Sequence, residues 1–344
     1  MSEVLIVPHP SPQNCSKYFI LLSGIDSPLS IYSDALPYWG IIDLDSPDPV
    51  ILMNPMLALV DTSLWGNNTY GKIGMSFYAA TDLRSDASRL VFVSVNYKVF
   101  RFRIDDNGLA YDNYYFELPN VNIDQYGLRA EMEIANLPNG TYRLAVPYLK
   151  NGTTSSLLIA SLDAQGNLTA SHVFDFEKEG SETIPYIHGL EFSPSGGYLY
   201  LTHQTNSLHP NPLEFIDLQN LNNGVQPLNV PNAADYQFSQ IERGTNGKLY
   251  FAGQSGTSNT ADRLSTLSNS DSPTNNTTWI NTNWVNSALS VSYQASYRGL
   301  PSTTPYESFK SYTLPDQIDG EDYFAHFTAT QECCRQSQIY TIDS

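Results

Sequence analysis

The sequence is poor in cysteine and in long hydrophobic runs, and both absences exclude classes of protein. Among 344 residues there are three cysteines, Cys15, Cys333 and Cys334, at the two ends of the chain. No CxxC pair and no Cys/His ligand spacing occurs, which argues against a structural zinc site. No run approaches the roughly 20 apolar residues that a membrane-spanning helix needs. The stretch Val4-Leu5-Ile6-Val7 is too short, and lacks the basic flank, for a signal peptide.

Charge is also scarce and has mostly one sign. Charged residues make up 15% of the chain, with 35 acidic side chains against 17 basic ones and a formal charge of −18. A surface of that sign repels phosphate backbones, so we expect no nucleic-acid partner. The sequence contains no GxSxG elbow, no papain-like cysteine context, no Walker loop and no dinucleotide fingerprint. These absences favour a protein that is not an enzyme.

Short strands separated by glycine-containing turns are abundant. The segment from His188 to Thr202 predicts a hairpin, because Ser193-Pro194-Ser195-Gly196-Gly197 supplies a tight turn between two alternating apolar stretches. Asn107-Gly108 and Asn139-Gly140 predict further hairpin turns. The 23 tyrosines and the many polar turn residues favour strands over helices.

This pattern recurs at intervals of roughly 50 residues, close to the length of one propeller blade. A single four-stranded blade cannot bury both of its faces, so blades must pack around an axis. We therefore predict an all-β protein with a single β-propeller domain over residues 1–344. The length favours about seven four-stranded blades, with six as the alternative. The last blade is predicted to be closed by the N-terminal strand.

The segment HGLEFSPSG, from His188 to Gly196, resembles a blade signature of the β-propeller (WD40/YVTN-like) regions in large secreted Bacteroidota proteins. Those proteins carry PKD modules and a type IX secretion signal. The segment from Gln240 to Ala252 is similar to the following blade of that family, and Leu5 to Pro10 is similar to its opening. The resemblance implies an extracellular or cell-surface interaction module. We expect this chain to differ from that family in having no signal peptide, PKD modules or sorting domain.

Two sets of residues at the ends of the chain are candidates for covalent or ionic links. A closed propeller brings its termini together, so Cys15 could form a disulfide with Cys333 or Cys334. Three buried thiols, or a bond between the two adjacent cysteines, are the alternatives.

A second set consists of carboxylates around a glycine turn, a pattern that can bind Ca²⁺ or simply form a solvated loop: Asp316, Asp319, Glu321 and Asp322. Ca²⁺ is the only cofactor that the sequence suggests.

Histidines and tryptophans supply the candidate ligand-binding residues. His188 stands at a strand start, where a propeller lines its channel, and His203 and His209 flank a loop between strands. Trp279 and Trp284 lie in a segment rich in Ser, Thr and Asn, which suits stacking on a sugar. The alternative for all of them is a role in the core or in a turn.

We expect a non-enzymatic extracellular binding or structural module that contacts protein or glycan through its loops, as a monomer or within a larger assembly. A propeller enzyme, such as a lactonase or a glycan-active hydrolase with its site at the channel mouth, is the main alternative. An effector or cargo delivered by a contractile injection system is the other.

Overall fold

In a computed structural model of the chain, the described residues contain twenty strands, which form five antiparallel sheets of four strands each. The structure describes residues 4–14, 16–25, 35–46, 53–61, 64, 77–95, 97–121, 131–150, 154–178, 180, 186–236, 239–244, 247–253, 263–273 and 278–282. Each sheet consists of four strands that are consecutive in the chain. The fold is therefore an all-β propeller built from simple meanders.

The strands of the first three blades are as follows. Blade 1 contains β1 (Val4–Pro8), β2 (Lys17–Ile25), β3 (Ala35–Asp43) and β4 (Asn54–Pro55). Blade 2 contains β5 (Phe77–Ala80), β6 (Arg89–Val95), β7 (Lys98–Asp105) and β8 (Gly108–Glu117). Blade 3 contains β9 (Glu133–Asn136), β10 (Tyr142–Lys150), β11 (Thr154–Leu162) and β12 (Leu168–Phe176).

The last two blades follow the same order. Blade 4 contains β13 (Ile187–Phe192), β14 (Tyr198–His203), β15 (Leu213–Asp217) and β16 (Val225–Pro227). Blade 5 contains β17 (Ile241–Arg243), β18 (Leu249–Gly253), β19 (Arg263–Ser268) and β20 (Thr278–Thr282). The first strands of successive blades contact one another, from β1 through β5, β9 and β13 to β17, so they are the inner strands.

The prediction of seven blades, or alternatively six, is wrong, because the described residues form five four-stranded blades. The inner strands begin at Val4, Phe77, Glu133, Ile187 and Ile241, so successive blades start 73, 56, 54 and 54 residues apart. Long connections between strands make each blade longer than the repeat of roughly 50 residues used for the prediction.

The predicted role of the N-terminal strand is also wrong. β1 pairs with β2 along its whole length, from Val4 opposite Leu22 to Pro8 opposite Tyr18, and is the inner strand of blade 1. The four strands of blade 5, β17–β20, all come from its own part of the chain, so the N-terminal strand does not belong to this sheet.

The hydrophobic core lies between blades, as expected of sheets that pack face to face. One cluster joins blades 1 and 2 through side chains such as Phe19 and Phe100, and another joins blades 4 and 5 through Tyr200 and Phe251. The largest cluster spans blades 2, 3 and 4 and includes Phe92. Each fully buried side chain of this size contributes roughly 1.5–3 kcal/mol, so the packing between blades holds the fold together.

The predicted hairpin turns are confirmed. Ser193 to Gly197 joins β13 to β14, with Gly196 in the left-handed region at φ +65. The turn at Asn107 and Gly108 joins β7 to β8. Within the described residues, none of the helices has the length and apolar character needed to cross a membrane.

Candidate functional site

Two neighbouring strands of blade 4 place a histidine and a glutamate side by side. His203 is the last residue of β14, and Glu214 is the second residue of β15. Glu214 pairs with Leu201, two residues before His203. Residues two apart in a strand share a face, so His203 and Glu214 are diagonal neighbours on the same side of the sheet.

The connection between β14 and β15 brings a second histidine back to this pair. The side-chain oxygen Oδ1 of Asn206 accepts hydrogen bonds from the backbone N–H groups of Leu208, at 3.0 Å, and His209, at 2.7 Å. The backbone N–H of Asn206 in turn donates to the carbonyl of His209 at 3.1 Å. These bonds close a compact turn, as short polar side chains commonly do, and hold His209 at a fixed place in the loop.

The three side chains meet at short distances. Nε2 of His203 lies 3.0 Å from Oε2 of Glu214, and Nδ1 of His209 lies 3.4 Å from the same oxygen. One donor atom from each residue can be chosen so that all three lie within 4.8 Å of one another. We call His203, His209 and Glu214 the His–Glu cluster.

The His–Glu cluster is shielded from solvent on most sides. The side chain of His203 is fully buried, that of Glu214 is 7% exposed and that of His209 is 17% exposed. The ring of Phe176, from the end of β12 in blade 3, lies 5.9 Å from the ring of His203 and 5.0 Å from that of His209. A neighbouring blade therefore supplies an apolar wall, which strengthens electrostatic interactions within the cluster.

The tautomer of His203 follows from its second ring nitrogen. Nδ1 lies 3.0 Å from the backbone carbonyl oxygen of Gln204. A carbonyl oxygen only accepts, so Nδ1 must carry the proton in this contact. In the neutral ring, Nε2 then carries the lone pair, 3.0 Å from Oε2 of Glu214.

The contact between His203 and Glu214 lacks hydrogen-bond geometry despite its 3.0 Å length. Among the residues that the structure describes, neither Nε2 of His203 nor Oε2 of Glu214 has a hydrogen-bond partner. Two buried acceptor atoms this close repel each other unless a positive charge lies with them. Either a second proton on the imidazole or a cation between the atoms satisfies the pair.

The two histidines act on the pKa of Glu214. Burial by itself would raise the pKa of Glu214, but the contacts with His203 and His209 outweigh that effect and leave the pKa below its ordinary value. The cluster therefore combines one carboxylate with two imidazoles, a donor set that is common in protein sites for transition metals.

Two buried carboxylates, Glu191 on the inner strand β13 and Glu131 just before the inner strand β9, have a different environment. Oε1 of Glu131 accepts a hydrogen bond from the backbone N–H of Leu190 at 2.7 Å, and its Oε2 accepts one from Nε2 of Gln240 at 3.1 Å. Glu191 accepts bonds from the backbone N–H groups of Phe192, at 2.8 Å, and Arg243, at 3.0 Å. These carboxylates join blade 3 to blades 4 and 5, and blade 4 to blade 5.

The predicted site residues are placed as follows. His188 is buried on the inner strand β13, at the point where the pairing register with β14 shifts between Ile187 and Gly189. The cluster that contains His203 does not include His188. Trp279 belongs to strand β20, opposite Leu267, and nothing is described of its side chain.

The remaining predicted residues lie outside the described residues: Trp284, Asp316, Asp319, Glu321, Asp322, Cys15, Cys333 and Cys334. The predictions of a calcium site, a disulfide and an aromatic sugar platform therefore stay predictions. Sequence reasoning noted His209 only as a loop residue and missed Glu214. The sequence signal that could have identified Glu214 is the strand Leu213–Asp217. This strand follows the loop and places its second residue, Glu214, beside His203.

No protein-family model matches the sequence, and no curated protein matches it. Among solved structures, the chain is similar to the β-propeller domain of Cps50 (Swd1) from Myceliophteria thermophila, with 10% identity and a TM-score of 0.40. That match covers 77% of this chain and 64% of the Swd1 chain, less than two thirds of its length.

Two further similar structures are bacterial proteins. The periplasmic gluconolactonase of Pseudomonas aeruginosa matches with 10% identity and a TM-score of 0.38, over 77% of this chain and 80% of that one. The Bacillus subtilis levansucrase, solved with oligosaccharides, matches with 9% identity and a TM-score of 0.41, over 82% of each chain. At these scores and identities the similarities carry no argument about function.

Proposed function

We propose that this propeller is a non-enzymatic binding module that contacts a protein or a glycan through the loops of one face, outside the producing cell. The observation that carries the proposal is the loop of residues 204–212. Leu208 is 45% exposed in this loop, and the side chain of Asn206 stabilises the loop by accepting hydrogen bonds from the backbone N–H groups of Leu208 and His209. An exposed leucine on a rigid loop suits an interface, because little conformational entropy is lost on binding.

A second contact holds the loop to the neighbouring blade. Nδ2 of Asn206 donates a hydrogen bond of 2.9 Å to the backbone carbonyl of Glu177, which follows β12 of blade 3. The loop is thereby fixed against both its own blade and the next. A surface fixed in this way can present the same side chains to each partner molecule.

The bonding of the buried carboxylates Glu131 and Glu191 favours binding over catalysis by these two residues. A catalytic carboxylate must be able to exchange a proton with its substrate. The bonds that Glu131 and Glu191 accept from backbone N–H groups instead tie these residues to the junctions between blades. The resemblance of the HGLEFSPSG segment to secreted propellers supports the extracellular location.

The test is a binding screen followed by matched variants. The full chain is screened against a glycan array and against surface and secreted proteins, and each hit is retested with purified material. Leu208→Asp should weaken a genuine interaction about 10-fold or more, since it puts a charge into the apolar contact. Leu83→Asp is the control, because Leu83 is 47% exposed in the connection between β5 and β6, at the opposite end of the blades.

Two results would overturn the proposal. One is the absence of any glycan or protein ligand that survives retesting. The other is turnover of a lactone or a glycoside by the wild-type chain, which would favour the enzyme instead.

A further inference from the structure

We propose that His203, His209 and Glu214 bind a single divalent transition-metal ion, and that Zn²⁺ is the ion that the donor set fits best. The inference concerns metal binding alone and holds whether or not the propeller has the binding role proposed above. It rests on the donor atoms, their spacing, their burial and the contact that orients His203.

The donor atoms select the class of metal. Two imidazole nitrogens and one carboxylate oxygen form a combination that Zn²⁺ commonly takes. Ca²⁺ prefers about six to eight oxygen ligands, and this cluster offers one carboxylate group. The calcium site predicted near Asp316 would therefore be a different kind of site.

The spacing of the donor atoms agrees with a tetrahedral shell. With metal–ligand bonds of roughly 2.0–2.2 Å, two ligand atoms of one tetrahedron lie about 3.3–3.6 Å apart. The observed separations from Oε2 of Glu214 are 3.0 Å to His203 Nε2 and 3.4 Å to His209 Nδ1. All three donor atoms lie within 4.8 Å of one another, so shifts of the side chains can bring them around one metal ion.

The contact behind His203 is the kind that metal-bound histidines make. Such a histidine usually donates its other ring N–H to a carbonyl or a carboxylate, which fixes the ring and directs the free lone pair at the metal. Nδ1 of His203 makes this contact with the carbonyl oxygen of Gln204 at 3.0 Å. Nε2, which then carries the lone pair, is buried 3.0 Å from Oε2 of Glu214 and has no hydrogen-bond partner among the described residues.

Three protein ligands leave one coordination position of a tetrahedron. His209 is the most exposed member of the cluster, at 17%, so solvent comes closest to the cluster at this ligand. Water or a donor group from a bound molecule can complete the shell there. A bound metal would also hold the loop of residues 204–212 to strands β14 and β15.

The competing explanation is a second proton in place of the metal. A doubly protonated His203 next to ionised Glu214 would satisfy the same two atoms without any ion. Metal binding and this ion pair predict different results in a titration, so the two are separable.

The test uses the full chain after removal of metals with a chelator. Zn²⁺ is titrated by calorimetry, and Co²⁺ is added separately because its visible absorption reports tetrahedral coordination by nitrogen and oxygen. We expect one Zn²⁺ site and a tetrahedral Co²⁺ spectrum in the wild-type chain. His203→Gln and Glu214→Gln should each weaken binding at that site at least 100-fold.

Matched variants distinguish the loss of a metal ligand from the loss of the fold. His209→Gln changes the most exposed ligand, on the loop, so its fold is the least affected, and it should also lose the site. His172→Gln is the control, because His172 is a partly exposed histidine on β12 that lies outside the cluster. Circular dichroism checks that each variant is folded.

The proposal is overturned if the wild-type chain binds neither Zn²⁺ nor Co²⁺ at micromolar metal. It is also overturned if the folded His203→Gln and His209→Gln variants bind Zn²⁺ as tightly as the wild-type chain does. A third contrary result is an NMR spectrum in which both ring nitrogens of His203 are protonated in the presence of excess Zn²⁺.

Discussion

Glu191 and Arg243 connect two blades through a partly buried hydrogen bond. Oε2 of Glu191, on the inner strand of blade 4, accepts a bond of 3.0 Å from the backbone N–H of Arg243, on the inner strand of blade 5. Oε1 of the same carboxylate accepts from the backbone N–H of Phe192 at 2.8 Å. The glutamate is 3% exposed, so both bonds are made in a region with little water.

Replacement of Glu191 should therefore destabilise the junction. Glu191→Ala leaves two backbone donors without their acceptor, and we expect a loss of about 2–4 kcal/mol in the free energy of unfolding. Glu191→Gln keeps one acceptor oxygen and should lose less. Urea unfolding measures both, with Glu117→Ala, at an exposed position on β8, as the control. A loss for Glu191→Ala no larger than that of the control would contradict this role.

Arg101 should not be replaceable by lysine. Its guanidinium donates to Oδ2 of Asp112 at 2.7 Å and, across the junction between blades 2 and 3, to the carbonyl of Gln165 at 2.7 Å and to Oδ1 of Asn167 at 2.8 Å. An ammonium group cannot reproduce this planar set of donors. Arg101→Lys should lower the free energy of unfolding by about 1–3 kcal/mol.

The control for Arg101 is Arg103→Lys. The side chain of Arg103 is 37% exposed and pairs with Asp86 and Asp105 at the surface, so its replacement should cost about 0.5 kcal/mol or less. Equal losses for the two arginines would show that the bonds to blade 3 add little.

Gly189 should tolerate no side chain. A Cβ atom at this position would lie 2.6 Å from the carbonyl oxygen of Ser239 and 2.9 Å from the backbone nitrogen of Ile241. These are backbone atoms of the neighbouring blade, so blades 4 and 5 would have to separate. We expect Gly189→Ala to cost about 3 kcal/mol and to lower the melting temperature.

Gly140→Ala is the comparison for Gly189. At Gly140 the added Cβ meets nothing within 4 Å, and only the φ of +77 opposes it, which costs about 1 kcal/mol. If Gly140→Ala proves the more harmful change, blades 4 and 5 do not approach each other as described.

The turn at Asp163 should contribute less stability in acid. Burial alone would raise the pKa of Asp163, but hydrogen bonds from Asn167 and Gln165 and the charge of Arg101 outweigh it and lower the pKa. A carboxyl group with a lowered pKa in the folded state stabilises the fold above its unfolded pKa, and that stabilisation disappears as the pH falls through the folded value.

The measurement is the difference in the free energy of unfolding between the wild-type chain and Asp163→Ala. This difference should be constant near neutral pH and should shrink below the ordinary carboxyl pKa of about 4. A difference that grows as the pH falls would have the wrong sign for this explanation.

The fold was predictable from sequence because local signals mark each hairpin. Glycine turns such as Gly108 and Gly196 adopt the positive φ that the turn chemistry requires, and the segments beside them alternate between polar and apolar residues. The number of blades was not predictable in the same way. It depends on the lengths of the connections between strands, which strand signals do not report. Because of such connections, the start of β5 lies 73 residues after the start of β1.

The candidate site was only partly visible in the sequence. His203 was recognisable as a candidate at the end of a strand, but its partners depend on the register between β14 and β15. A shift of one residue in that register would turn Glu214 to the opposite face of the sheet. The return of His209 depends on the bonds made by Asn206, and no periodic pattern predicts them.

The most direct test of the account is anomalous X-ray scattering from crystals of the full chain grown with Zn²⁺. Data collected on either side of the zinc absorption edge locate the ion without any assumption about the fold. The account predicts an anomalous peak within about 2.2 Å of Nε2 of His203, Nδ1 of His209 and the carboxylate of Glu214. A structure in which these three side chains are ordered with no peak between them, or in which zinc lies only elsewhere, would contradict it.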